Sequence, residues 1–157
     1  MYNWIIIDGN NLVHSDREGL FGNRRADFAS ARRGLARLIG ELGDELAERV
    51  TIVFDGTAGG RAEALQAPGL EVLFSPSSQS ADSVIERMVS KAPSADGILV
   101  VTSDRGERFT VGAAGAMTMS CDNFIDLLKD CRKAVTRKLN PRRRPPSGPS
   151  LGDFFPT

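Results

Sequence analysis

The sequence predicts an α/β protein in which a mostly parallel sheet is packed between helices. Short runs of β-branched and aliphatic residues alternate along the chain with longer segments whose apolar residues recur at helical spacing. Three of the short runs are followed by an aspartate and then, directly or one residue later, by a glycine. At 157 residues the chain is long enough to bury a substantial core. We therefore expect one α/β sandwich, in which right-handed crossovers bring the strand ends to one edge.

The first strand is expected at residues 5–7, which are three consecutive isoleucines. A strand that is apolar at every position is typical of a parallel sheet covered on both faces. Gly9 is interpreted as the residue that lets the chain turn sharply after the strand. Asp8 would then lie at the carboxyl edge of the sheet, where open α/β folds bind their ligands. Taken alone, the run from Asp8 to Asn10 is better explained as an ordinary turn.

An amphipathic helix is expected within residues 27–49, because apolar side chains recur at helical spacing and charged side chains occupy the opposite positions. Glycines weaken this helix, and a break is expected near Gly43. Arg32, Arg33 and Arg37 are interpreted as part of its solvated face.

The middle of the chain repeats the opening pattern. A second strand is expected at residues 50–54, followed by Asp55 and Gly56, and a third at residues 70–74. The glycine- and alanine-rich residues 57–69 between them are interpreted as a mobile loop. The pattern therefore places a second acid at the edge that holds the first.

A further helix is expected to begin near Ala81, after serines that can cap it. Asp82 lies in its first turn, where the helix dipole favours an ionised carboxylate. Glu86 follows four residues later on the same side of the helix. This helix therefore adds an acid near the strand ends.

The remaining elements are a fourth strand at residues 98–101, which leads to Asp104, and a weaker fifth strand at residues 116–119. Asp122 is interpreted as the cap of a last amphipathic helix. The sheet is therefore expected to have five strands.

Four aspartates are expected to converge at one edge of this sheet. They are Asp8, Asp55, Asp82 and Asp104. Converging carboxylates repel one another unless basic side chains or divalent cations neutralise them. Oxygen ligands without histidine or cysteine select Mg²⁺ or Mn²⁺. Such ions support phosphodiester hydrolysis, because one activates water and another stabilises the leaving oxygen.

Other polar residues at this edge are candidates for contact with a phosphate. Asn11 can hold a carboxylate or a phosphate oxygen, and Ser103 can help to position ligands. Arg105 can stabilise a phosphate or pair with an acid. His14 is the only histidine and is interpreted as a packed residue, so neither a zinc site nor a Ser-His-Asp triad is expected.

Composition narrows the class of protein further. The formal net charge is zero, so the chain as a whole has no electrostatic attraction to nucleic acid. No apolar run approaches the roughly 20 residues of a membrane helix, and no membrane partner is expected. Cys121 and Cys131 do not have the spacing of a metal site, and the N-terminus shows no secretory signal. These features favour a reduced, cytoplasmic location.

The last residues differ in character from the rest of the chain. Prolines exclude a helix through residues 140–150 of the C-terminal segment 140–157, which carries Arg142, Arg143 and Arg144. It is interpreted either as a solubilising tail or as an arm that binds phosphates through counterion release. The folded domain is accordingly expected at residues 1–139.

Four short blocks carry a resemblance to a known family. Residues 5–12, 53–56, 81–86 and 100–105 read IIIDGNNL, VFDG, ADSVIE and VVTSDR. In this order they resemble the YacP-like group of NYN domains, a branch of the PIN-like nucleases, over roughly residues 3–138. The resemblance implies a three-layer α/β/α PIN-like fold whose parallel strands have the order 3-2-1-4-5.

The resemblance also implies an activity, namely that of a metal-dependent endoribonuclease that acts on messenger RNA in association with the ribosome. By this resemblance Asp8, Asp82 and Asp104 correspond to the metal-binding, catalytic acids. Asp55 corresponds to a supporting acid, and Asn11 to the family's amide position. Mg²⁺ or Mn²⁺ is the cofactor it implies.

Two other functions are compatible with the sequence. A PIN-like module that binds RNA or the ribosome with little or no catalysis would gain stability by losing the clustered acids. A phosphoryl-accepting receiver-like domain would have paired acids after the first strand and a lysine after the fifth, whereas Asp8 stands alone. The nuclease is therefore the leading hypothesis.

Overall fold

The computed structural model describes residues 2–22, 27–56 and 58–139, and over these ranges strands and helices alternate. The strands are β1 (Tyr2–Asp8), β2 (Ala47–Phe54), β3 (Ala58–Arg61), β4 (Leu70–Pro76), β5 (Ile98–Val101) and β6 (Met117–Met119). The helices are α1 (Gly9–Ser15), α2 (Phe28–Leu46), α3 (Ala81–Lys91), α4 (Arg105–Ala113) and α5 (Cys121–Leu139), with a short 3₁₀-helix at Glu63–Leu65.

The strands form one sheet with the order β3-β4-β2-β1-β5-β6. Every neighbouring pair is parallel except β3 and β4. The five parallel strands are the five expected from the sequence, and their order is the one that the family resemblance implies. The carboxyl ends of β2, β1 and β5 consequently lie side by side, which is where such folds bind ligands.

The sixth strand corrects one expectation, because residues 57–69 were interpreted as a mobile loop. Here β3 pairs antiparallel with β4 at the edge of the sheet. The Gln66 side chain accepts a hydrogen bond from the Val72 N–H at 3.1 Å and donates to the Ala62 carbonyl at 2.7 Å. Backbone pairing and the Gln66 side chain therefore hold this segment in place. Neither interaction leaves an apolar pattern in the sequence, so the strand was not predicted.

The core lies in two layers on either side of the sheet. Ile5 and Ile7 pack under α1, α2 and α5, whereas Ile6 packs under α3 and α4. All three isoleucines are fully buried. The structure thus confirms the α/β/α sandwich and a first strand covered on both faces.

Helix α1 begins directly after β1, so Gly9 lies where the chain passes from strand to helix. The role of Gly9 is to allow close packing, since a Cβ there would lie 2.4 Å from Cε1 of Phe54. Asn10 likewise has a specific contact rather than a turn role, because its Oδ1 accepts a hydrogen bond from the Asp55 N–H at 3.1 Å. The glycine therefore lets the first helix pack against the end of β2.

Helix α2 continues to Leu46 without the break expected near Gly43. Leu42 and Leu46 are both buried on the sheet. The free energy gained by burying these two leucines exceeds the helix-propensity penalty of glycine relative to alanine, which is about 1 kcal/mol.

The start of α5 also differs from the expectation that Asp122 caps it. The cap is Ser120, whose hydroxyl accepts a hydrogen bond from the Asn123 N–H at 3.2 Å. Asp122 lies exposed in the first turn and forms an ion pair with Arg17 at 3.9 Å. Among the described helices, none is long and apolar enough to cross a membrane.

Candidate metal centre

Asp8 ends β1 on the side of the sheet that α3 and α4 cover. Alternate residues of a strand point to the same face, and Ile6 packs under these two helices. Asp8 is only 2% exposed. Its Oδ1 accepts a hydrogen bond from the Asn11 N–H at 3.2 Å, so the carboxylate caps α1. Asp8 is thus a buried acid held in one orientation.

Asp82 reaches Asp8 because a second acid fixes the start of α3. Asp55 follows β2 directly, and its Oδ1 accepts a hydrogen bond from the Ala81 N–H at 2.9 Å. This bond satisfies one of the free donors at the helix N-terminus. Asp55 therefore holds the first turn of α3, and Asp82 with it, beside the end of β1.

Glu107 is the third acid at this position and was not expected from the sequence. It lies in the first turn of α4, a helix capped by Asp104, whose Oδ1 accepts a hydrogen bond from the Glu107 N–H at 3.0 Å. The Glu107 residue is 2% exposed. Neither of its carboxylate oxygens makes a hydrogen bond of good geometry within the described ranges. A buried carboxylate without a partner is costly, so it needs an explanation.

The side chains of Asp8, Asp82 and Glu107, which we call the acidic cluster, meet at one point. Each offers an oxygen, and these three oxygens all lie within 4.8 Å of one another. Hard oxygen donors on three separate elements suit Mg²⁺ or Mn²⁺. A divalent cation would also supply the partner that the buried Glu107 carboxylate lacks. The residues therefore fit a metal site.

Burial and mutual repulsion raise the pKa values of two of these acids. Burial, with the charges of Asp82 and Asp55 adding to it, raises the pKa of Asp8 from 3.8 to about 7. Burial, again with the charges of Asp82 and Asp8 adding to it, raises the pKa of Glu107 from 4.5 to about 8. Near neutral pH these two acids therefore bind protons readily, and a divalent cation would compete with the protons for the same oxygens.

Asn11 connects β1 to the segment that begins α4. Its Oδ1 accepts hydrogen bonds from the Ser103 N–H at 3.1 Å and from the Thr102 hydroxyl at 3.5 Å. The Thr102 hydroxyl in turn accepts a hydrogen bond from the Asp104 N–H at 3.2 Å. The amide nitrogen of Asn11 has no hydrogen-bond partner among the described residues. Asn11 thus positions the site and keeps two donors available to a ligand.

The structure brings Asp8 and Asp82 together and places the other predicted aspartates beside them. Asp55 and Asp104 are exposed and cap α3 and α4, outside the group of three oxygens. Further predicted residues also lie outside that group. Ser103 and Arg105 are exposed at the start of α4, Glu86 lies one turn beyond Asp82 on α3, and Arg142, Arg143 and Arg144 fall outside the described residues.

Glu107 had a signal in the sequence that could have revealed it. An acid followed three residues later by glutamate, as Asp104 and Glu107 are, resembles a capping box and marks a helix N-terminus. That signal would have predicted α4, which the sequence reading did not include. Burial of the Glu107 side chain against Asp8 depends on the packing of α4 on the sheet.

The order and direction of the five parallel strands are those expected of a PIN-like nuclease domain. A family model described as the YacP-like NYN domain matches residues 5–153. The chain therefore belongs to the YacP-like NYN family.

Two solved structures are similar to the chain, both of Rae1 (YacP) from Bacillus subtilis. A variant with one substitution is 24% identical with a TM-score of 0.71, over 86% of this chain and 80% of that one. The other structure is 24% identical with a TM-score of 0.67, over 87% of this chain and 79% of that one. At this identity the likeness confirms the fold. No curated protein matches the chain.

Proposed function

We propose that this protein is an Mg²⁺- or Mn²⁺-dependent endoribonuclease. The observation that carries the proposal is the acidic cluster, in which the buried Glu107 carboxylate makes no hydrogen bond of good geometry with any described residue. A domain that only bound RNA would be more stable with neutral residues there. A divalent cation would be bound by all three carboxylates, and its charge would offset the free energy that their burial costs.

Each acid of the cluster would have a defined task. Asp8, Asp82 and Glu107 would hold the cation, which when bound supplies an activated water and charge stabilisation for phosphodiester hydrolysis. Asp104 and Asp55 would hold Glu107 and Asp82 in place through the helix N-termini that they cap. Because Asp104 is also exposed at this edge, it remains a candidate for direct contact with a cation or its water.

The RNA would be bound by donors around the cluster. The free amide nitrogen of Asn11 can donate to a phosphate oxygen, and Ser103 and Arg105 are exposed on the neighbouring turn. Arg142 to Arg144 would add phosphate contacts from the C-terminal segment. We further propose that the substrate is messenger RNA on the ribosome, which would place the protein in the cytoplasm.

The test is cleavage of a linear and a circular RNA of the same sequence, with and without Mg²⁺ or Mn²⁺. Asp8→Asn, Asp82→Asn and Glu107→Gln should each abolish cleavage. Asp44→Asn is a matched control, since Asp44 is exposed on α2 and has no polar partner among the described residues. Cutting of the circle would identify an endonuclease. Retained cleavage in the cluster variants, or in EDTA, would contradict the metal-dependent site.

A second experiment separates catalysis from binding. Wild type and Asp8→Asn should cosediment with ribosomes equally, because the acidic cluster would not be needed to bind the ribosome. If the wild type binds RNA or ribosomes but cuts neither RNA, the protein is the binding module instead.

A further inference from the structure

One arginine of α2 is held in an environment unlike that of its neighbours. The Arg32 guanidinium carbon lies 5.3 Å from the ring centroid of Phe28, 5.8 Å from that of Phe54 and 5.5 Å from that of Phe74. Arg32 is partly buried, so the sequence-based interpretation of this residue as solvated is wrong. Three aromatic rings attract a cation and restrict its side chain.

Among the residues that the structure describes, no acid forms an ion pair with Arg32. Within the described ranges the guanidinium makes no hydrogen bond and no ion pair, whereas the adjacent Arg33 contacts Asp27 at 3.8 Å. The rings stabilise the charge through cation–π contacts but do not use the N–H groups of the guanidinium. Within the described ranges these donors therefore remain available to an external anion.

The position of Arg32 relates it to the metal centre. Phe54 is the last residue of β2, and its ring packs against Gly9, which directly follows Asp8. The next residue, Asp55, holds the start of α3 on the other face of the sheet. Arg32 and the acidic cluster thus lie on opposite sides of the same strand end, at the carboxyl edge of the sheet.

We propose that Arg32 is a phosphate-binding residue that holds the RNA backbone beside the cleavage site. This inference rests on the proposed function, because it assigns the substrate's path across the edge of the sheet. A guanidinium presents a planar fork of N–H donors that matches a phosphate, and immobilising it beforehand reduces the entropy lost on binding. The positive charge of Arg32 would also offset the repulsion between the acidic cluster and the RNA phosphates.

The test is binding of a fluorescein-labelled, fully 2′-O-methylated single-stranded RNA, measured by anisotropy in EDTA at several salt concentrations. Neither hydrolysis nor 2′-hydroxyl chemistry can consume this probe. Arg32→Met should weaken binding about three- to tenfold and lower the slope of log K against log salt by about 0.7. Arg37→Met is the matched control, since Arg37 is exposed on the same helix and should bind as the wild type does.

Equal affinity of Arg32→Met and wild type, or equal losses for Arg32→Met and Arg37→Met, would overturn the proposal. Arg32→Lys should keep the salt slope but lose affinity, because it retains the charge and lacks the planar fork. If Arg32→Met does not fold, unchanged affinity of Arg32→Lys overturns the proposal instead. If Arg32→Met binds RNA more weakly than a wild type that itself cuts no RNA, the result supports the role of Arg32 and contradicts the nuclease function.

Discussion

Two groups of polar side chains lie at opposite ends of one face of the sheet. At the amino end, Trp4 donates its Nε1–H to the Thr51 hydroxyl at 2.9 Å, and Arg49 lies 3.9 Å from the centroid of the Trp4 ring. Arg49 also pairs with Glu71 at 3.2 Å. We call these four residues the amino-end network. At the carboxyl end lies the acidic cluster, which contains Asp8 of the same strand and forms no ion pair with a described basic side chain.

The two groups show how one strand can serve stability at one end and function at the other. In the amino-end network each charge has a partner of opposite sign, so the network stabilises the fold by itself. The acidic cluster combines burial with like charge, and both oppose ionisation. The cluster therefore lowers the stability of the fold unless a bound cation neutralises its charges. The contrast predicts that substitutions in the two groups have opposite effects.

The largest expected effect is on catalysis. Asp8→Asn or Glu107→Gln should lower the cleavage rate by about a thousandfold, because losing a metal ligand removes several kcal/mol of transition-state stabilisation. Glu71→Gln in the amino-end network should leave the rate within about twofold, which is about 0.4 kcal/mol. Single-turnover cleavage under saturating Mn²⁺ measures both. A comparable loss in Glu71→Gln would mean that the two ends are not separable.

The next effect is stabilisation by the cation. Added Mn²⁺ at a hundred times its Kd should stabilise the wild type by about 2.7 kcal/mol, because only the folded chain assembles the cluster. Thermal unfolding followed by circular dichroism would measure this. Asp8→Asn should lose most of the increase, while Asp44→Asn should keep it. An unchanged Tm in the wild type would contradict a metal site.

Without the cation, the same substitutions should stabilise the protein. Glu107→Gln or Asp8→Asn should raise the free energy of unfolding by about 1–2 kcal/mol in EDTA at pH 8, because each removes a buried charge that the neighbouring acids repel. Urea unfolding provides the measurement. A loss of stability in both variants would show that the carboxylates are satisfied within the fold.

The dependence on pH follows from the raised pKa values. Since the folded pKa of Asp8 is about 7 and that of Glu107 about 8, against 3.8 and 4.5 as ordinary values, the folded state binds more protons than the unfolded one. Stability in EDTA is therefore fully present below about pH 4 for these groups and is lost as pH rises through 7 to 8. The double variant Asp8→Asn, Glu107→Gln should flatten this part of the stability profile. Persistence of the same slope would assign it to other groups.

The smallest effect is expected in the amino-end network. Glu71→Gln should lower the free energy of unfolding by less than about 1 kcal/mol, since Arg49 is half exposed and solvent screens the pair. High salt should remove most of the difference. A larger loss would show that the hydrogen bonds through Thr51 couple the network more tightly than its exposure suggests.

Much of the fold could be predicted because its signals are local. The consecutive isoleucines of β1 are visible in a short window and led to the parallel sheet and to Asp8. The serines before Ala81 led to the start of α3 and to Asp82. The edge strand β3 was not predicted, because a glycine-rich segment shows no alternation of apolar and polar residues. The packing reason for Gly9 could not be predicted, because its close contact with Phe54 cannot be seen in the sequence.

By itself, then, the sequence determined the class of fold, the five parallel strands and the edge at which the acids gather. Only the tertiary structure decided that Glu107 joins Asp8 and Asp82, and that Arg32 stands among three rings instead of in solvent. The physical reason is that periodicity fixes which residues are apolar within one element. The burial and the partners of a charged side chain depend on which helix packs against which strand, and elements distant in the chain make that choice together.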